Sequence, residues 1–156
     1  DGHSARGASG SGRAQRTLGA RRRMDHVVFD AEPLVAYYWD EPGSDAVEAV
    51  IDRVERGELT GSVNTVTCTE VRYVCARDDP QTATAYVSRI RNWCDVVPAE
   101  GVWETAAEYK RTYRVALGDA YTLATAASKE ATAYVGADGE FDGVNVPVHR
   151  FRTTGV

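Results

Sequence analysis

Four carboxylates stand where the pattern of apolar residues predicts a change between strand and helix: Asp30, Glu70, Asp119 and Asp138. Asp30 ends the apolar run that begins at His26, and Asp138 follows a second strand-like run. In open α/β sheets, ligands bind at the carboxyl ends of the strands. Hard cations such as Mg²⁺ take oxygen ligands, usually a few carboxylates together with water and substrate phosphate. Four acids meeting at such an edge would make a metal-dependent phosphodiesterase site.

Each of these acids, taken alone, also has an ordinary structural explanation. Asp30 could end a strand, Glu70 could be a solvated helix residue, and Asp119 could cap a helix. Asp138 lies in a glycine-rich stretch that is typical of a turn. Their joint placement favours a site, because carboxylates crowded together raise one another's pKa and a divalent cation relieves that repulsion.

The elements that would position the acids alternate between strand and helix. The predicted strands are His26–Asp30, Leu59–Val63, Cys94–Pro98, Thr132–Val135 and Val146–Phe151. The predicted helices are Leu34–Trp39 after a break at Glu32-Pro33, one capped by Ser44, one capped by Asn64, one starting at Asp79-Pro80, and two marked by Val102–Tyr113 and Ala120–Ala127. Such alternation predicts the α/β class, with a three-layer α/β/α sandwich around a mostly parallel sheet of about five strands.

Charge divides the chain into two parts. Residues 1–23 hold six arginines and one acid among Gly, Ser and Ala, which predicts a disordered basic leader, non-native or an over-extended start. An RNA-binding arm is the alternative interpretation. Residues 24–156, predicted to form a single domain, hold 12 basic and 22 acidic residues, a net charge of −10. Lysine occurs there only at Lys110 and Lys129, a bias similar to that of proteins from salt-loving archaea.

Several classes of protein find no support in the sequence. The phosphate loop GxxxxGK[ST], the dinucleotide turn GxGxxG and the nucleophile elbow GxSxG are all missing. The three cysteines show no CxxC spacing, which favours free thiols over zinc or disulfides. Without a run of 18 apolar residues or a signal-peptide pattern, the sequence predicts a soluble cytoplasmic protein with no membrane partner.

Four segments together resemble the PIN-domain ribonucleases, whose small single-domain members include the VapC-type toxins of type II toxin–antitoxin pairs. These segments are residues 27–38, 65–74, 116–126 and 135–142. The most specific of them is the glycine and aspartate that lead into an alanine-rich helix at Gly118-Asp119. The resemblance spans Asp25 to about Phe151, essentially all of the predicted domain, and it implies a PIN-like nuclease domain.

The resemblance also implies a chemistry and partners. One or two Mg²⁺ or Mn²⁺ ions would be held by Asp30, Glu70, Asp119 and Asp138, with Asp142 as a further, outer-sphere candidate. A water activated by the metal would then hydrolyse RNA phosphodiester bonds, with no covalent nucleophile on the protein. A homodimer and a cognate antitoxin that blocks the cleft are implied as well, and Leu34–Trp39 and the helix of Val47–Val54 are candidate contact surfaces.

One departure from the family pattern and two alternatives stay open. The family usually has Ser or Thr two residues after the first Asp, whereas this chain has Glu32, which either adds a carboxylate or points away. A haloacid-dehalogenase-like phosphatase is the enzyme alternative, although it needs a second Asp where Glu32 stands. A catalytically inactive PIN-like interaction protein is the other. Arg72 and Arg114 are candidate phosphate contacts, with surface solvation as the simpler interpretation.

Overall fold

In the described part of the chain, five parallel strands form the centre of the fold. A computed structural model of the chain describes residues 25–153, so the predicted leader at residues 1–23 lies outside the described residues. The strands are β1 His26–Phe29, β2 Thr60–Asn64, β3 Asp95–Val97, β4 Thr132–Val135 and β5 Val148–Arg150. They lie in the order β3-β2-β1-β4-β5, and every neighbouring pair is parallel. The predicted fold class and the predicted parallel sheet are confirmed.

Among residues 25–153, six α-helices cover the two faces of this sheet. They are α1 Ala31–Tyr38, α2 Ser44–Glu55, α3 Thr65–Cys75, α4 Pro80–Trp93, α5 Trp103–Thr112 and α6 Leu117–Lys129. Successive residues of a strand face opposite sides of the sheet. Val27 and Phe29 of β1 therefore pack into the core beneath α1 to α4, while Val28 packs into the core beneath α5 and α6. The result is the predicted three-layer sandwich.

The first helix begins three residues earlier than its sequence suggests. Glu32-Pro33 predicts a break before Leu34, yet α1 begins at Ala31 and contains Pro33 in its first turn. A proline is tolerated there because the first N–H groups of a helix have no partner within the helix. Asp30 is consequently the residue that immediately precedes a helix, and Glu32 lies within that helix.

Other boundaries differ by one or two residues. The fifth strand is the shorter Val148–Arg150, and α2 begins at Ser44 itself after Gly43, whose φ of 91° is in the left-handed region. The Ser44 hydroxyl donates to Asp40 Oδ1 at 2.9 Å rather than capping the helix. The predicted caps at Asn64 and Asp79 are confirmed, because each side chain accepts a hydrogen bond from an amide in the first turn of its helix. Within residues 25–153, no helix is long and apolar enough to span a membrane.

Candidate active site

The acids lie at the point where the strand order reverses. β1 has β2 on one side and β4 on the other, so the connections that leave β1 and β4 run to opposite faces and open a crevice between them. Asp30 follows β1 and Asp138 lies three residues after β4. Their placement at the carboxyl ends of neighbouring parallel strands is the one that the sequence predicts.

Asp30 is the most buried of the acids, with only 4% of its surface exposed. Its amide donates to the Tyr134 carbonyl at 2.9 Å, which fixes the end of β1 against β4. Its Oδ1 accepts a hydrogen bond of 2.8 Å from the fully buried hydroxyl of Thr122. Burial raises the pKa of Asp30, the nearby charge of Glu70 raises it further, and hydrogen bonds from Asp119, Thr122 and the Ala31 amide oppose that rise.

Asp119 stands beside Asp30, in the first turn of α6. The N-cap of this helix is Ala116, whose side chain offers no cap, and Asp119 accepts a hydrogen bond from the Ala116 amide. An acid at the third helical position commonly caps a helix in this way. Burial, followed by the charge of Asp30 and the hydrogen bond between the two carboxyls, raises the pKa of Asp119 to about 8. Two acids in contact therefore share a proton near neutral pH when no cation is bound.

Glu70 reaches the same crevice from α3. Its carboxylate lies against Gly118, and a Cβ built at Gly118 would overlap it. Its Oε1 is buried and has no hydrogen-bond partner among residues 25–153. Burial and the charge of Asp119 raise the pKa of Glu70. A buried carboxylate oxygen without a donor is unfavourable. A cation or a hydrogen-bond donor beside Glu70 Oε1 would therefore stabilise the site.

Asp138 occupies the exposed rim of the site. Its Oδ1 accepts a hydrogen bond of 2.9 Å from the Glu140 amide, which caps a short 3₁₀ turn at Gly139–Phe141. Its charge contributes to the raised pKa of Asp119, which places the two side chains within electrostatic reach. Asp142 is exposed, and its Oδ1 accepts a hydrogen bond of 2.7 Å from Arg150 Nη2.

Glu32 points into the crevice beside β4. A Cβ at Gly136 would overlap the Glu32 carboxylate, and Glu32 Oε2 lies 3.1 Å from Arg152 Nη2. Arg152 is 9% exposed, and its guanidinium also donates to the Pro42 carbonyl at 3.0 Å and lies 4.6 Å from the centre of the Phe151 ring. Of the two interpretations left open for Glu32, the structure therefore shows a carboxylate near the site that is paired with an arginine.

Two further polar residues, Asn64 and Thr65, support the fold, whereas the candidate phosphate contacts Arg72 and Arg114 lie on the surface. Asn64 caps α3 through the Val66 amide and donates 3.0 Å to Thr125 Oγ1, so it is a buried structural residue. Thr65 Oγ1 accepts from the Ala99 amide at 3.0 Å. Arg72 and Arg114 are both exposed, and neither has an ion-pair partner in the described part of the chain.

The donor set suits a hard divalent cation in its chemistry. Asp30, Glu70 and Asp119 supply carboxylate oxygens with raised pKa values, and Glu70 Oε1 is buried without a partner. Over residues 25–153, however, no three acidic, histidine or cysteine side chains are arranged so as to hold a metal ion. Asp30 and Asp119 face each other, whereas Asp138 turns one oxygen towards a backbone amide. The ligand assignment of Asp30, Glu70, Asp119 and Asp138 therefore stays a prediction.

A family match accompanies this geometry. The chain matches the family model of the PIN domain over residues 27–146, a segment that contains Asp30, Glu70, Asp119 and Asp138. The chain belongs to the PIN domain family. Membership indicates a nuclease-type hydrolase, so the enzyme class suggested by the acids agrees with the family. No protein of curated function matches this PIN domain in sequence.

Several solved structures share the fold of this PIN domain. One is a toxin–antitoxin complex from Klebsiella pneumoniae, with a TM-score of 0.62 and 16% identity over 82% of this chain and 99% of that one. A second is VapBC2 from Rickettsia felis bound to a DNA fragment from their promoter, with a TM-score of 0.60 and 10% identity over 80% and 98%. A third is DNA-bound VapBC from Salmonella typhimurium, with a TM-score of 0.59 and 14% identity over 81% and 98%. At these identities the likeness concerns the fold.

Two residues of the PIN domain site escape prediction from the sequence. Thr122 looks like one more small residue in the alanine-rich α6, and the only signal for it is its position three residues after Asp119, on the same helix face. Arg152 has no local signal, because its partner Glu32 is 120 residues away in the chain.

Proposed function

We propose that this PIN domain is a divalent-metal-dependent endoribonuclease and the toxin of a toxin–antitoxin pair. The observation that carries the catalytic part is the contact between Asp30 and Asp119, flanked by the unpartnered oxygen of Glu70. Acids held this close are unfavourable unless they share a proton or a cation. The toxin part is supported by the fold shared with the toxin–antitoxin complexes named above.

Asp30, Glu70, Asp119 and Asp138 are the residues that would hold Mg²⁺ or Mn²⁺, with Asp142 as an outer-sphere candidate. When bound, such a cation lowers the pKa of a coordinated water and screens the charge of the substrate phosphate. The chain itself orients its acids: Thr122 holds Asp30, and the Ala116 amide holds Asp119. The role proposed for Glu70 is to complete the acidic pocket from the facing helix.

RNA is the proposed substrate, and a cognate antitoxin and a second copy of the chain are the proposed partners. The cleft between β1 and β4 is the surface that an antitoxin would have to block. Leu34–Trp39 and the helix of Val47–Val54 remain candidate contact surfaces, although Leu34, Ala36 and Val47 are fully buried in the core and unavailable for contact. Trp39, just past the end of α1, exposes 37% of its surface, more than any other residue of that segment.

The decisive experiment is incubation of the purified protein with total RNA at high salt, in Mg²⁺, Mn²⁺ or EDTA, followed by sequencing of the new 5′ ends. Discrete metal-dependent cleavage sites are expected for the wild type, and Asp119→Asn should abolish them. Asp95→Asn serves as the matched control, since that acid is exposed at the start of β3, at the edge of the sheet opposite to the acidic crevice. Biological activity that survives Asp119→Asn would instead establish a non-catalytic interaction protein.

A further inference from the structure

A groove of about 620 Å³ opens beside the acidic site, between the end of α5, the α5–α6 connection and the turn after β4. Residues 110–116 line one side of it and Glu140 lines the other. We call it the basic groove, because Lys110, Arg111 and Arg114 contribute to its wall.

Both walls of the basic groove lead directly to the acids. Ala116 lines the groove and gives its amide hydrogen to Asp119. Glu140 lines the opposite wall, and its amide donates 2.9 Å to Asp138 Oδ1. A chain lying in this groove would therefore pass from its cationic wall to the two acids without leaving the protein surface.

The basic groove is positively charged, whereas residues 24–156 as a whole carry a net charge of −10. Three of the 12 basic residues in that part of the chain lie within residues 110–114. Arg114 is exposed and, within residues 25–153, makes no ion pair. Arg111 pairs with Glu108 at 2.8 Å, but both side chains are largely exposed, and such surface pairs exchange for a phosphate at little free-energy cost. Lys110 also supports the loop, since its Nζ donates 2.8 Å to the Val115 carbonyl.

An aromatic ring stands among these cations. Tyr113 lines the basic groove and stacks on Tyr109, with ring centres 5.8 Å apart and planes 24° from parallel. The hydroxyl of Tyr109 donates 2.5 Å to Asn145 Oδ1, which fixes the ring beneath Tyr113. Arginines that contact the backbone and aromatic rings that accept unpaired bases are the combination that binds single strands, because a duplex hides the faces of its bases.

We propose that the basic groove binds single-stranded RNA next to the scissile phosphate, with Arg114 on a backbone phosphate and Tyr113 against a base. This inference rests on the proposed function and assigns the contacts of the RNA strand beside the acids to the residues of the basic groove. Of the two interpretations of Arg114, phosphate contact and surface solvation, it selects phosphate contact.

The test measures binding separately from cleavage. A short fluorescein-labelled single-stranded RNA is titrated with the EDTA-treated full chain across a salt series, and anisotropy gives Kd. Arg114→Ala should raise Kd about fivefold. It should also make the fall of the association constant with salt less steep, reducing the magnitude of the log–log slope by about 0.7, the value for one lost phosphate contact on a single strand. Arg114→Lys should recover most of the binding. Arg91→Ala is the matched control, because Arg91 is exposed on α4 in the other helical layer.

A photo-crosslink supplies a second measurement that does not depend on the variants folding equally well. RNA containing 4-thiouridine should crosslink to the wild type within residues 109–116, with Tyr113 as the main site. Wild-type binding and cleavage together with an unchanged Arg114→Ala and crosslinks elsewhere overturn the groove and leave the proposed function standing. Failure of the wild type both to bind and to cleave RNA overturns both.

Discussion

The Glu70 carboxylate occupies the space that a side chain at Gly118 would fill, so α3 and α6 meet directly at the acidic site. Gly118 is the second residue of α6, and its φ is not positive. The glycine is therefore required by the close approach of Glu70 and not by the backbone conformation.

Gly118→Ala should move the Glu70 carboxylate without lowering the stability of the fold. The new methyl group displaces the end of a flexible side chain, and replacing a helical glycine by alanine stabilises a helix by about 0.5–1 kcal/mol, so Tm should change little. Mn²⁺ affinity measured by calorimetry and RNA cleavage should both fall. Gly101→Ala is the control, because nothing lies within 4 Å of a Cβ at that position. Unchanged metal affinity and cleavage in Gly118→Ala would show that the location of Glu70 is irrelevant to the site.

Thr122→Val should weaken the hold on Asp30. The variant keeps the shape of the side chain but removes the 2.8 Å hydrogen bond, and a hydrogen bond to a charged group is worth about 1.5–3 kcal/mol. We expect a loss of that size in the free energy of unfolding by urea, together with slower cleavage. Thr122→Ser retains the hydroxyl and should remain close to the wild type in both measurements. Equal losses in the Val and Ser variants would trace the effect to packing alone.

The raised pKa of Asp119 predicts an opposite pH dependence with and without metal. Because the folded pKa of about 8 exceeds the ordinary value, the folded chain retains a proton that the unfolded chain has released. In EDTA, this contribution is complete at acidic pH and disappears as the pH rises towards 8. Thermal unfolding from pH 5 to 8 should therefore show a larger decline for the wild type than for Asp119→Asn, which cannot titrate. Saturating Mg²⁺ should stabilise the wild type increasingly as the pH rises, and the absence of this crossover would contradict cation binding at Asp119.

Arg152→Met should destabilise the protein more than the loss of an ordinary surface arginine. Arg152 donates to Glu32 and to the Pro42 carbonyl while being nearly buried, so we expect a loss of about 2 kcal/mol in urea unfolding. Arg56→Met is the control: its pair with Glu58 is exposed, and solvent screening leaves such pairs little effect on stability. A second expectation is tighter Mn²⁺ binding, since the loss of the positive charge of Arg152 leaves the Glu32 carboxylate unpaired beside the site. Equal stability of the two variants would refute a structural role for Arg152.

The positions of Asp30 and Asp138 could be predicted because parallel strands place their carboxyl ends at one edge, whatever the intervening sequence. Thr122 could not be predicted, because a threonine within an alanine-rich helix is consistent with either face. The link between Glu32 and Arg152 could not be predicted either, because Pro33 suggests a break at this point and the arginine lies at the far end of the chain. Local patterns thus locate the strand ends, whereas contacts between distant residues decide how the acids are held.

Asp119 is needed to begin α6 as well as to place a carboxylate in the crevice, because it accepts the Ala116 amide hydrogen. A lineage of such proteins that lost its activity would still benefit from retaining an acid or amide at this position. Glu70 has no comparable structural role, since its buried Oε1 makes no hydrogen bond within residues 25–153. When related chains are compared, the identity of the residue at position 70 is therefore a sharper indicator of retained activity than the aspartate at 119.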